Sequence, residues 1–442
     1  MNIEKLFKAA KAAGIEQFET RIQTESEMSV SMFNNELENL TVADNGSMKV
    51  RGLVDGKCGV FASDRVDDEV IDMAVSALKD SAKYGNPLDP DFFINGNEYK
   101  YEKVDNFSES LKNTPASTFV DIAKQISAKT LAGDKRIELV NVTVRYSYGA
   151  LQIVNSNGLD VKGETNYVMV MAQVKAVSGE EIQSGMNYDI LKTVDGFDVD
   201  AFVSKLIDDT VKQFGGETVK SGKYKVVYSP DCVAVLFATL QSGFSAFAVE
   251  QNVSLLKGKI GTKAFSELLT LEETPIGDEV FCGAFDDEGV PCKNKTLIDK
   301  GVPTGYVYDL DTAKRAGVKS TGNGRLSGGN VRPAITFTTV KAGDKTQDEL
   351  FKFVGDGIYI TDLGGVATGI NGQSGNYSLQ ASGYEIKGGK LVKPVSLMTV
   401  AGNIMTDFAD ITAVGNDEKL TYYGVKTPSV VIGSLSISCK QD

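Results

Sequence analysis

The chain of 442 residues contains no histidine and no tryptophan. Without an imidazole there is no Ser-His-Asp or Cys-His activation of a nucleophile, no histidine acid or base, and no histidine-held zinc. Any chemistry of its own must come from carboxylates, Lys, Tyr, Ser or Cys. Cysteine is scarce as well: Cys58, Cys232, Cys282, Cys292 and Cys439 are odd in number and never spaced C-x-x-C. They outline neither a disulfide framework nor a structural zinc site, and a reducing, cytoplasmic setting is expected. Positive charge is in deficit, 46 basic residues against 59 acidic, for a net charge of −13. That field repels phosphate backbones and anionic lipid, so neither nucleic acid nor membrane is an expected direct partner. Nucleotide cradles are missing too: no G-x-G-x-x-G joins a strand to a helix, and no G-x-x-x-x-G-K-[ST] occurs.

What is present, 42% hydrophobic and 24% charged residues, is the composition of a globular protein. The opening MNIEKLFKAAKAAG breaks its apolar residues with Lys5, Lys8 and Lys11, which predicts an amphipathic helix rather than a signal peptide. Phe18, Ile22, Met28, Val30 and Met32 alternate with polar residues as in a half-buried strand. Asp44-Asn45-Gly46 and Asp55-Gly56 are expected hairpin turns, and Val70 to Leu78 a helix ending near Gly85. Residues 86–114 read as a linker. A second helix, strand, strand, helix order follows, with a helix from Pro115, strands over 137–148 and 167–177, a turn at Asn157-Gly158, and a helix from Phe202 to Phe214 capped by Gly215. LTVADNGSMKVRG from Leu40 and LQIVNSNGLDVKG from Leu151 look alike.

Beyond Gly222 short strands and many glycines take over. Residues 279–292 suggest a hairpin, Arg332–Lys341 and Gly357–Leu363 strands, and Thr346 with Glu349 a capping box. The uncharged run Cys232–Val249, 18 residues, is diluted by Thr239, Gln241, Ser242, Gly243 and Ser245 and lacks basic anchors. It is therefore read as a buried helix started by Ser229-Pro230 and not as a membrane span. The fold class is α+β: an N-terminal unit over 1–111, a central unit over 112–219 that packs with the first or stands alone, and a mainly β, Gly-rich domain over 220–442. The glycines from Gly364 to Gly383 are expected in tight turns, and the acidic clusters Glu272-Glu273 and Asp286-Asp287-Glu288 in solvent.

The string GIYITDLGGVATGINGQSGNYSLQASGYEIKGGKLVKPVSLMTVAGNIMTDFADITAVGND (Gly357–Asp417) strongly resembles the C-terminal region of the TldD/PmbA family. KSTGNGR (Lys319–Arg325) and FNNELENLTVADNGSMKVRG near the start extend the likeness. The resemblance implies a cytoplasmic metallopeptidase of two related subunits that degrades or matures unstructured peptides, a family also labelled as modulators of DNA gyrase. In the TldD-type subunit an H-E-x-x-x-H helix and a later cysteine hold zinc, and the glutamate activates water. Aligned on that helix, this chain has Phe237, Ala238 and Ser242 in place of His, Glu and His, and Tyr423 in place of the cysteine, with Cys439 too late. It is thus similar to the PmbA/TldE subunit, with no catalytic residues, metal or cofactor of its own and zinc expected in a TldD-like partner. The resembling strings offer Asn323, Arg325, Asn376, Tyr377 and Ser378 as candidates for a peptide cleft. The alternatives are a non-enzymatic peptide-binding or regulatory protein, such as an indirect modulator of DNA gyrase, that pairs with itself as a homodimer, or a self-sufficient hydrolase using carboxylates or a Ser-Lys pair.

Overall fold

The computed structural model describes residues 1–15, 17–87, 93–327 and 330–439. Helix α1 (Ile3–Ala12) is capped by Asn2, whose side chain accepts from the Lys5 amide, and buries Leu6 and Ala10. Strand β1 (Gln17–Phe33) then sinks Phe18, Val30 and Met32 on one face, as its period-two pattern requires. The chain reverses at Asn34-Asn35, which take positive φ of 44° and 69°, a region Asn tolerates. Strand β2 (Glu36–Val54) runs back, and Asp55-Gly56 turns into β3 (Lys57–Ser63). The expected turn at Asp44-Asn45-Gly46 is instead mid-strand, paired with Ser26, Glu25 and Thr24 of β1. Continuous pairing of two long strands outweighs the local preference of that tripeptide.

Helix α2 (Ile71–Ala82) closes the first unit. The segment expected as a linker holds the short α3 (Glu109–Lys112) and packs firmly: Phe93 and Ile94 are buried, and Asn106 Nδ2 donates to the Cys282 carbonyl at 2.6 Å. The second unit repeats the order with α4 (Ala116–Gly133), β4 (Ile137–Asn155), β5 (Asp160–Ser178), β6 (Glu181–Leu191) and α5 (Val199–Val211). Both units share one antiparallel sheet, ordered β3-β2-β1-β4-β5-β6 and joined through β1 and β4. The even-numbered face of β1 takes α1 and α2 at one end, over Phe18, Met48 and Val50, and α4 and α5 at the other, over Val30, Met32 and Val142. The look-alike fragments do not correspond: Asn45-Gly46 lies within β2, whereas Asn157-Gly158 is the β4–β5 turn.

The C-terminal half starts with β7 (Gly222–Tyr228) and α6 (Pro230–Gln241), with Ser229 as N-cap. The helix expected to reach Val249 breaks at Ser242-Gly243, because the Gly243 carbonyl accepts from Ser254 Oγ at 2.5 Å instead of from a following helical amide. Helix α7 (Ala246–Glu250) resumes after the break. Then come β8 (Leu271–Glu273), β9 (Lys295–Asp299), β10 (Val302–Pro303), α8 (Leu310–Ala316), β11 (Gly324–Ser327), β12 (Asn330–Pro333), β13 (Thr338–Val340) and α9 (Gln347–Val354). The last elements are β14 (Gly357–Gly364), α10 (Val366–Gly369), β15 (Asn376–Lys387), β16 (Lys390–Asn403), α11 (Ile404–Ala409), β17 (Ile411–Val414), β18 (Lys419–Leu420), β19 (Val425–Thr427) and β20 (Val430–Cys439). They form sheets ordered β10-β9-β8-β13-β19-β18 and β16-β15-β14-β7-β20-β17, with β16 also pairing to β20. The strand expected over 332–341 is split after Pro333, which has no amide to continue a ladder. The 279–292 hairpin is a loop closed by one bridge, Phe285 to Pro291. The architecture is α+β, and α6 lies in the main C-terminal core with Val226, Ile358 and Ile432.

Candidate functional site

The three positions where the resemblance places His, Glu and His point apart. Phe237 is fully buried and stacks on Phe408 with centroids 4.3 Å apart. Ala238 is half-buried with no donor atom, and Ser242 lies exposed beyond the end of α6, its Oγ donating to the Thr239 carbonyl at 2.9 Å. Tyr423 presents a ring tilted by 33° against that of Tyr422, centroids 4.4 Å apart. A benzyl group in the core, a methyl, a hydroxyl already spent on the helix end and a phenol do not make a zinc ligand set. Among the described residues no group of three His, Cys, Asp or Glu side chains is arranged to hold a metal ion.

Beside the first turns of α6 the molecule opens into a cavity of about 1250 Å³. One wall comes from β5, β6 and α5, the other from β14, β15, β16 and the loop after β18. Asp231, in the first turn of α6, accepts from the Tyr188 phenol and from the Lys419 ammonium at 2.8 and 3.1 Å. The same ammonium stands 4.1 Å from the centre of the Tyr188 ring. Tyr422 meets Tyr188 edge-on at 5.0 Å and donates its hydroxyl to Tyr423 at 3.1 Å. Burial, then the Asp231 carboxylate, pushes the Tyr188 phenol well up; burial, then Tyr423, does the same to Tyr422. Both stay protonated hydrogen-bond donors at neutral pH. Cys232 is fully buried and its thiol is pushed far up by desolvation, so it supplies no thiolate. Asp362 lies where β14 bulges against β15. The cavity therefore offers phenol donors, aromatic faces and a carboxylate, a set suited to holding a ligand.

The five residues expected in a cleft do not line this cavity. Asn323 is fully buried: Nδ2 donates to Glu273 at 2.7 Å and to the Ala334 carbonyl at 3.1 Å, while Oδ1 accepts from Lys295 and Thr321, each at 2.8 Å. Arg325 reaches the Phe285 carbonyl and Cys292 Sγ, both at 3.4 Å. Tyr377 is sealed between Tyr228 at 3.2 Å and Asp407 at 2.7 Å. Asn376 accepts from Asn403 Nδ2 at 2.8 Å, and it and Ser378 are exposed on β15. Asn323 and Tyr377 thus have no free polar atom for a peptide. The cavity residues escaped notice because they come from elements far apart in the chain. The adjacent Tyr422-Tyr423 pair and Asp231 behind the Ser-Pro helix start were the visible signals.

Of the acidic clusters expected in solvent, Glu272 stays half-exposed, whereas the other four side chains are buried or paired. Glu273 is buried against Lys295 at 2.8 Å. Asp286 accepts from the amides of Glu288, Val290 and Gly324, Asp287 pairs with Arg21 at 3.1 Å, and Glu288 accepts from the Leu310 amide at the start of α8. Burial pushes Asp286 up to about 6; burial and the neighbouring Asp286 push Glu288 up to about 8. Asp287 and Glu288 thus sit where the C-terminal half meets Arg21 of β1 and Arg51 of β2.

Compared with known proteins, residues 18–82, 109–214 and 221–439 match models of the PmbA/TldA metallopeptidase domain 1, central domain and C-terminal domain. The chain is 24% identical to metalloprotease PmbA of Escherichia coli O157:H7 over 95% of this chain and 92% of that one. It is 26% identical to a metalloprotease of Methanocaldococcus jannaschii over 98% and 97% of the two chains. Among solved structures it superposes on a proposed modulator of a DNA gyrase from Thermotoga maritima with a TM-score of 0.91 at 26% identity, covering 99% of both chains. TldE from Thermococcus kodakarensis shares the fold, with a TM-score of 0.89, 21% identity and 99% of both chains covered.

Proposed function

The chain belongs to the PmbA/TldD metallopeptidase family, and from that premise we propose that it is the non-metal, TldE-like subunit of a two-subunit peptidase acting on unstructured peptides in the cytoplasm. The observation that carries the reading is the contrast within one region of α6. Phe237, Ala238, Ser242 and Tyr423 stand where the zinc ligands and the water-activating glutamate would be and do not assemble that centre, while the neighbouring cavity of about 1250 Å³ is open and lined by polar as well as apolar groups. A chain that keeps a peptide-sized cavity and lacks the hydrolytic centre suits the part of a subunit that holds substrate, with the cutting done by a histidine-bearing relative. Among the described residues no helix is long and apolar enough to cross a membrane.

The test is recovery of the tagged protein from its own cells, with mass spectrometry of what co-purifies and metal analysis of the same sample. A stoichiometric partner bearing H-E-x-x-x-H and about one zinc per pair is the expected result. A metal-free homo-oligomer would refute it and favour a peptide-binding protein that works without chemistry.

A further inference from the structure

The cavity walls carry five lysines, each facing a carboxylate. Lys175 lies 3.7 Å from Glu138, Lys212 2.8 Å from Asp208, Lys393 2.6 Å from Glu217 and Lys419 2.8 Å from Asp231, and Lys205 pairs with Asp209. Asp362 is the exception. It lines the cavity, remains open to solvent, and has no ion-pair partner among the described residues. The recess desolvates its carboxyl and nearby Asp231 repels it, both raising its pKa, while the Leu363 amide eases its charge. Close by, the structure shows what this chemistry attracts. The Lys419 ammonium is already seated between a carboxylate and the face of Tyr188 at 4.1 Å, an arrangement that stabilises a cation through the ring quadrupole. Tyr359, Tyr384, Tyr422 and Tyr423 add further aromatic rings to the cavity walls, and Tyr422 lies within electrostatic reach of the Asp362 carboxylate.

We propose that the cavity selects peptides by positive charge, with Asp362 taking an ammonium or guanidinium of the bound chain and the tyrosine rings lining its approach. The ligand class is a basic, unstructured peptide, and the group recognised is an N-terminal ammonium or a Lys or Arg side chain. This rests on the reading of the chain as a substrate-holding subunit and adds the substrate's charge to it.

The test is direct binding to the isolated full chain, without any partner, of dye-labelled Gly/Ser peptides carrying several lysines. The same peptides with acetylated lysines, and with only the N-terminus acetylated, separate side-chain from terminal recognition. The lysine peptide is expected to bind about tenfold tighter than the fully acetylated one. Asp362→Asn should remove most of that difference. Asp344→Asn, at a carboxylate 92% exposed and outside the cavity, should leave affinity within about twofold, which separates a local site from the bulk field of a −13 chain. Thermal melts of both variants guard against misfolding. Equal affinity for charged and acetylated peptides, equal losses in both variants, or no binding by the isolated chain would each overturn the proposal. A chain that keeps the preference but co-purifies with no histidine-bearing relative would sink the subunit reading alone. One that finds its partner but shows no preference would sink only this inference.

Discussion

Folding moves Glu288 from water to a buried seat against the first amide of α8, where burial first and then Asp286 raise its pKa from 4.5 to about 8. The folded chain therefore holds the proton more tightly than the unfolded chain. The stability this contributes is complete below about pH 4.5 and is lost as pH rises through about 8, at about 1.4 kcal/mol per pH unit at the steepest. Asp286, raised to about 6, adds the same sign at lower pH. The thermal midpoint is thus expected to fall between pH 5 and 9. Glu288→Gln keeps an acceptor for the Leu310 amide and has nothing to ionise, so it should flatten the upper part of the decline and exceed the parent above about pH 8. Identical midpoints for parent and variant across that range would refute the assignment. The turn at Asp286–Gly289 is legible locally, from three acidic residues and a glycine. Its burial is not, because the covering groups are Arg21 on β1 and the seam beside it, far away in sequence.

The amphipathic helices are the elements most legible from sequence, since a 3.6-residue period is written locally: Phe202, Val203 and Leu206 are buried on α5 as their spacing requires. Turn glycines mislead wherever strand pairing decides. Gly46 is mid-strand, and so is Gly383 on β15, which stands where a methyl group would overlap the Tyr359 carbonyl of β14. That close approach lies beside the register shift between Ile360 and Asp362 and so helps place the cavity carboxylate. Gly383→Ala must push the two strands apart. It is expected to cost about 1–3 kcal/mol in denaturant unfolding and to weaken cationic-peptide binding as Asp362 moves. A loss below about 0.5 kcal/mol, the range of indifferent surface changes, would show that the strands part freely. The missed elements share this origin: the break after α6 depends on Ser254 reaching back to Gly243, and no periodicity encodes that bond.

At the scale of the whole molecule, the cavity exists only because two bodies of structure are held together, one wall coming from the six-stranded N-terminal sheet and the other from the C-terminal strands. The fastening is visible. Ile153, Leu159 and Val161 of the β4–β5 hairpin pack with Ile94, Phe285 and Val290 in one apolar cluster. Around it Tyr101 donates to the Gly289 carbonyl at 2.8 Å and Arg21 meets Asp287. Phe285 is the central wedge, buried, 6.0 Å edge-on from Tyr101 and tight against Gly163. A seam this continuous should make the two bodies unfold together, as one calorimetric transition, although a chain of this length is large enough to unfold in parts. Phe285→Ala removes the wedge at an expected cost of about 3–5 kcal/mol. Because the loss falls on the seam and not within either core, the single transition should split, with peptide affinity falling as the cavity walls separate. Two transitions in the parent, or one unsplit transition in the variant at an unchanged midpoint, would mean that the bodies are joined by something other than this cluster.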